Sequence, residues 1–222
     1  MSKTGYFEAK LNNINGILKN LDLLEERNHF PTQIQNPAEI FRKMSYIEVW
    51  KYCIKNFVFN FQLVDSSIIL FNNSDFYPSF VFYGCPYDCL PYKDFVKENG
   101  FEYQNIGDAL SNDYMLYLDN CTIHSSHRTI RYDYAPKQYR EGLHPSSHIH
   151  IGYQTEIRIG LEKILDPLAF IMFVLRQLYP YKWDNFVNVY SNEVLLNRYK
   201  NNLDSIETTH YKKKDHWEFY LT

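Results

Sequence analysis

Residues 147–152 read Ser147-His148-Ile149-His150-Ile151-Gly152, and this alternation is the strongest pattern in the chain. A β-strand points successive side chains to opposite faces. Read as a strand, the segment puts His148 and His150 on one face, while Ile149 and Ile151 turn toward a core. Two imidazoles on one polar face can share a metal ion, or divide the roles of general acid and general base. Five of the eight histidines, His124, His127, His144, His148 and His150, fall in this part of the chain.

Upstream, Tyr114–Asp119 and Ile123–Tyr134 read as two arms of a long hairpin turning at Asn120-Cys121-Thr122. The second arm places Arg131 and Asp133 on one face and Ile130, Tyr132 and Tyr134 on the other. Downstream, Gly152 marks either a bulge through which the strand continues or a turn from which it returns. If the strand continues, Gln154, Glu156 and Arg158 join the face of His148 and His150, opposite Tyr153, Ile157 and Ile159. One sheet surface then carries two histidines, two arginines, an aspartate and a glutamate.

Around this block the pattern becomes helical. Leu11, Ile14, Leu18, Leu21 and Leu24 recur at spacings of three and four, which predicts a helix over 6–27. A connector broken by Pro31 and Pro37 follows. Ser45-Tyr46-Ile47-Glu48 is a capping-box signature opening a helix that carries Ile47, Trp50, Ile54 and Phe57. Phe59–Val64, Ser67–Phe71 and Ser79–Tyr83 are rich in β-branched and aromatic residues, with turn chemistry at Asn72-Asn73-Ser74-Asp75, and predict an antiparallel meander. Pro91–Asn99 reads as a short helix stopped by Gly100. Asp166-Pro167 combines an N-cap with proline at the first helical position, ahead of the apolar helix Leu168–Leu178. Residues 184–202 read as another helix and His216–Leu221 as a last edge strand.

These elements predict an α+β fold, an antiparallel sheet packed against helices with an N-terminal helical extension. Residues 1–44 would form the helix and connector, and residues 45–222 a single α+β domain carrying the His/Arg site. A chain of 222 residues can bury a core without disulfides. Cys85-Pro86-Tyr87-Asp88-Cys89 has three intervening residues, and no second Cys/His pair follows at a fitting distance. The four cysteines therefore read as reduced, structural thiols. A formal net charge of -3 gives no global basic field, so contact with nucleic acid requires a local patch. Lys212-Lys213-Lys214 is one short basic run, explained as well by a solvated turn. Glycine-rich phosphate loops are absent from the sequence. No apolar run approaches the length of a membrane span, and MSKTGYFEAK lacks a signal-peptide core, so a cytoplasmic chain that needs no membrane is expected.

Three readings fit the polar face. The first is metal-independent cleavage of RNA, in which one group removes the ribose 2′ proton and another protonates the leaving oxygen. Arginine stabilises the pentavalent charge. Here His148 and His150 transfer protons, Arg131 and Arg158 hold the phosphate and Asp133 orients a histidine. His144, Glu156 and Tyr132 would contact the substrate, and no cofactor is needed. The second is a metal-dependent hydrolase in which His148, His150 and Asp133 (or His144) ligate a divalent ion. The third has no chemistry: a mixed, charged outer sheet face is the commoner explanation for any one such residue. The chain would then be a non-catalytic, protein-binding subunit of a multi-protein complex.

The run RYDYAP…HPSSHIHIG…RIG…DPLAFIMFVLRQLYP, within residues 131–183, resembles a bacterial family of unknown function. That family joins an Arg-Tyr-Asp segment, a His-Pro…His-x-His-x-Gly segment and an Arg-Ile before a helix ending in Tyr-Pro. The matching positions are Arg131, Tyr132, Asp133, His144, His148, His150, Gly152 and Arg158. The stretch from Gly160 through Leu-Glu-Lys-Ile to Asp166 departs from the pattern. The resemblance implies a prokaryotic cytoplasmic protein from a phage-defence or toxin setting, acting with partner proteins; it implies no activity. The combined expectation is a nucleic-acid-processing protein, with the metal-independent ribonuclease as its sharpest form.

Overall fold

The computed structural model describes residues 3–35, 37–72, 78–155, 157–190, 202–212, 214–215 and 220–221. It opens with α1 (Lys3–Asn20), β1 (Leu24–Arg27), α2 (Pro37–Phe41), α3 (Tyr46–Lys55) and the strands β2 (Phe61–Leu63), β3 (Ile68–Asn72) and β4 (Ser79–Tyr83). Then come β5 (Tyr87–Asp88), α4 (Tyr92–Glu98), α5 (Tyr103–Ile106), α6 (Ser111–Leu118), β6 (Thr122–Ile123) and β7 (Thr129–Tyr134). The chain continues through β8 (Ser147–Ile151), β9 (Ile159–Leu161), α7 (Pro167–Leu178), α8 (Pro180–Tyr190) and β10 (Tyr220–Leu221). Helices and a mainly antiparallel set of strands, without regular βαβ alternation, make this an α+β fold. No helix among the described residues is long and apolar enough to cross a membrane.

The elements group into two compact units. One comprises Met1–Asp22, Phe71–Phe82 and Thr129–Thr222. Its strand order is β4-β7-β8-β9-β10. The β7/β8 and β8/β9 pairs are antiparallel, and β10 runs parallel to β9. Asp166 caps α7 by accepting from Ala169 N at 2.7 Å, and Pro167 fills the first turn, where no amide donor is missed. Phe170 on α7 lies 5.8 Å from Phe80 and 6.2 Å from Phe71, and Phe80 lies 5.4 Å from Tyr132. Each such burial contributes about 1.5–3 kcal/mol. The helix therefore covers the apolar face of the sheet, which leaves the alternate residues of β7 and β8 for the other face. Helix α1 buries Leu11, Ile14, Ile17 and Leu18 and packs on α7, and Lys10 Nζ reaches Asp166 at 2.7 Å.

The other unit comprises Leu23–Leu70 and Tyr83–Arg128. Strands β1, β2 and β3 pair antiparallel in sequence order. Ser45 and Glu48 form the capping box that opens α3. That helix buries Tyr46, Val49, Trp50 and Cys53, a stripe at spacings of three and four. Trp50 Nε1 donates to the Ser66 carbonyl at 3.1 Å, so this fully buried ring keeps its one polar atom paired.

Three expectations are corrected. Tyr114–Asp119 is not a hairpin arm: Ser111–Leu118 is helical, with Tyr114 and Leu118 buried one turn apart and Asp113 in the first turn. The aromatic and apolar residues of Tyr114–Leu118 mimic strand composition, but packing at a helical period prevails. Of the second arm, Ile123 pairs instead with β5, together with Thr122 of the expected turn, and β7 begins only at Thr129. The first helix ends at Asn20 rather than at 27. Asp22 takes a left-handed φ of 50°, and Leu24–Arg27 leaves as a strand against β2. The last helix begins at Pro180 and is described to Tyr190; residues 191–201, like the turn at 73–75 and 216–219 of the expected edge strand, lie outside the described residues.

Candidate metal centre

Strands β7 and β8 pair with Asp133 opposite His148 and Arg131 opposite His150. Residues directly opposite in an antiparallel pair share a face, so the four side chains converge as the alternation predicts. Beyond Ile151 the strand turns back. Gly152 has φ +92°, and its amide donates to the Thr129 carbonyl at 2.9 Å. A Cβ at Gly152 would meet Thr155 Cγ2 at 2.7 Å, so the turn requires glycine. The return strand pairs Gly160 with His148 and Ile159 with Ile149. That register carries Arg158 toward the position opposite His150.

Asp133 is held from two sides. Ser79 Oγ donates to Oδ1 at 2.7 Å, and Arg131 Nε donates to Oδ2 at 2.7 Å. His150 Nε2 lies 3.5 Å from the same Oδ2. The carboxylate is thereby oriented, and each oxygen keeps a second lone pair. His148 Nδ1 lies 2.8 Å from the Pro145 carbonyl. A carbonyl only accepts, so Nδ1 carries the proton and Nε2 presents its lone pair. This is the arrangement that orients a metal-binding imidazole. The His148 ring lies 4.8 Å from that of His150 and 5.0 Å from that of His144.

His148 and His150 are only 2% and 4% exposed. Burial lowers both imidazoles to about 4. Next in effect, Asp133 opposes this at His148, while Arg131 adds to it at His150. His144 is also lowered, first by burial and then by Arg158. Both strand histidines are therefore neutral at pH 7, the form that binds metal. One ligand atom each from Asp133, His148 and His150 lies within 4.8 Å of the others. Tetrahedral ligands at about 2.0–2.1 Å from zinc sit about 3.4 Å apart, so small side-chain rotations would close the set.

Sequence reasoning placed Asp133, His148, His150 and Arg131 together, and the structure does so. His144 stacks edge-on against His148, and Arg158 acts electrostatically on all three imidazoles. Tyr132 is not brought to the site. It is fully buried on the opposite face, with its hydroxyl 3.2 Å from Ser147 Oγ and accepting from Leu165 N at 3.0 Å. Gln154 lies in the turn, and Glu156 lies outside the described residues. Two participants went unnoticed. Ser79 is 54 residues from Asp133 in sequence, beyond any local signal. Pro145, three residues before His148, belongs to the His-Pro segment, where a carbonyl able to orient the ring could have been sought. The Arg131–Asp133 pair is not buried: its side chains are 43% and 25% exposed.

Fold and cluster together define an α+β protein with a candidate divalent-metal centre. The chain belongs to a family of uncharacterised conserved proteins (DUF2290), whose family model matches residues 19–219. No curated protein and no solved structure matches it.

Proposed function

We propose that the chain is a metal-dependent phosphodiesterase acting on nucleic acid, with Asp133, His148 and His150 holding a divalent ion. The convergence of one carboxylate and two imidazoles within 4.8 Å carries this reading. Two nitrogens and an oxygen suit zinc, iron(II) or manganese(II) and leave positions for water and a phosphoryl oxygen. When bound, such an ion would lower the pKa of a bound water, to about 7 in the case of zinc, and would polarise a phosphoryl group. Arg131, opposite His150, and Arg158, whose charge acts on the imidazoles, are the cations that would contact an anionic diester. The metal-independent route has less support, because a general acid must be protonated at working pH and both strand imidazoles are neutral there. RNA is the first substrate to test, in the setting of a bacterial defence or toxin system with partner proteins.

The test incubates labelled single-stranded RNA with the protein, with and without EDTA, and with manganese or zinc restored. A His148→Ala/His150→Ala double variant, shown to be folded by circular dichroism, runs beside it. Cleavage abolished by EDTA, restored by metal and absent in the variant is expected. EDTA-resistant cleavage lost in the variant would replace the reading by a metal-independent ribonuclease. No cleavage in any arm would replace it by a non-catalytic, partner-binding subunit.

A further inference from the structure

In the unit formed by Leu23–Leu70 and Tyr83–Arg128, the Cys85 and Cys89 sulfurs lie 3.7 Å apart. They bracket the two-residue strand Tyr87–Asp88, which pairs with Thr122–Ile123. The Pro86 carbonyl accepts from His124 N at 2.8 Å, and Cys85 N approaches Ser67 Oγ at 3.3 Å. The backbone on both sides of Cys85 is thus pinned, and the facing of the sulfurs is built in. Cys85 is buried, whereas Cys89 is partly exposed. The other two thiols differ: Cys53 is wholly buried, and Cys121 turns its sulfur to the Tyr117 carbonyl at 3.5 Å.

The pair is chemically unequal. The hydrogen bond with Cys85 holds the Cys89 thiol below its usual range, against the opposing effect of burial. The same contact, and then burial, pushes Cys85 up. The partly exposed Cys89 sulfur is therefore the readier nucleophile of the two. Tyr114 Oη lies 3.8 Å from Cys89 Sγ, but its proton goes to the Leu90 carbonyl at 2.8 Å, so the phenol walls the site.

We propose that Cys85 and Cys89 form a modification site, a dithiol that a hydroperoxide converts to a reversible intramolecular disulfide. The Cys89 thiolate attacks the terminal peroxide oxygen; an S–O bond forms, the O–O bond breaks, and the leaving oxygen departs as alcohol or water. Cys89, oxidised by two electrons, becomes a sulfenic acid. Cys85 sulfur then attacks Cys89 sulfur; the S–S bond forms, the S–O bond breaks, and the hydroxide leaves with the Cys85 proton as water. In sum, two thiols and a hydroperoxide give a disulfide, water and an alcohol, and an added dithiol reverses the change. Forming the bond, about 2.05 Å long, needs an approach that rotation of the partly exposed Cys89 can supply. This site does not rest on the phosphodiesterase reading.

The test treats the full chain with a small excess of hydrogen peroxide, blocks remaining thiols with N-ethylmaleimide and maps the peptides by mass spectrometry. The peptide bearing both cysteines is expected to lose two hydrogen atoms and to escape alkylation until a dithiol is added. In Cys85→Ser, Cys89 should stop at the sulfenic acid and be trapped by dimedone; in Cys89→Ser, Cys85 should stay reduced. Wild-type protein in which Cys89 is trapped as sulfenic acid or overoxidised without the disulfide would overturn the proposal. So would preferential oxidation of Cys53 or Cys121.

Discussion

Asp133 on β7 stands directly opposite His148 on β8, and this pairing brings a carboxylate to two histidines that alternation alone had placed on one face. The 12 residues between the strands supply His144 and the Pro145 carbonyl that fixes the His148 ring.

Ser79→Ala removes the donor to Asp133 Oδ1, a 2.7 Å contact. The expected cost is about 1 kcal/mol of stability, and a loss of about 10- to 100-fold in divalent-ion affinity, as for other residues that orient a ligand. Ser79→Thr should retain most of both. Urea denaturation and zinc titration of the two variants check this.

Gly152→Ala should destabilise the chain by about 1–3 kcal/mol, the cost of a strained backbone position. Its φ of +92° and the 2.7 Å approach of Thr155 Cγ2 both oppose a side chain. An unchanged urea midpoint would contradict the hairpin geometry.

Asp166→Ala removes the α7 cap and the partner of Lys10 with one change. A lost cap costs about 0.5–2 kcal/mol, and the partly exposed ion pair adds little. Asp166→Asn, which keeps the capping oxygen, should recover most of the loss in thermal unfolding.

Acid should destabilise the metal-free protein through the buried imidazoles. His148 and His150 fall from 6.5 to about 4 on folding, so between those values the unfolded chain binds more protons than the folded one. Stability then rises with pH through this window and is lost as pH falls from 6.5 toward 4. Above pH 6.5 these groups contribute no slope. Denaturation midpoints between pH 4 and 7.5 check the sign, and His150→Asn should flatten the fall.

How much of this was legible depends on distance in sequence. The face shared by His148 and His150 follows from a period of two within four residues. The Ser45 capping box and the Asp166-Pro167 helix start are equally local, and both are present. Arg158 was visible as a residue, but its return beside His150 needed the turn at Gly152, which sequence left open between bulge and hairpin. Tyr114 and Leu118 bury at a helical period under a composition typical of strands, so propensity misled where tertiary packing decided. Leu24 continued the helical spacing by coincidence, because the break is a left-handed Asp22 that no composition signals. Ser79 joins the site only through the neighbouring of β4 and β7, a non-local fact.

The most direct measurement is an isothermal titration of the EDTA-stripped protein with zinc, beside folded Asp133→Asn and His150→Ala variants. The account predicts saturable binding of a single ion per chain, with release of few protons because the imidazoles are already neutral, and loss of that binding in both variants. No binding in the wild-type chain, or equal binding in all three proteins, would contradict a metal centre at Asp133, His148 and His150.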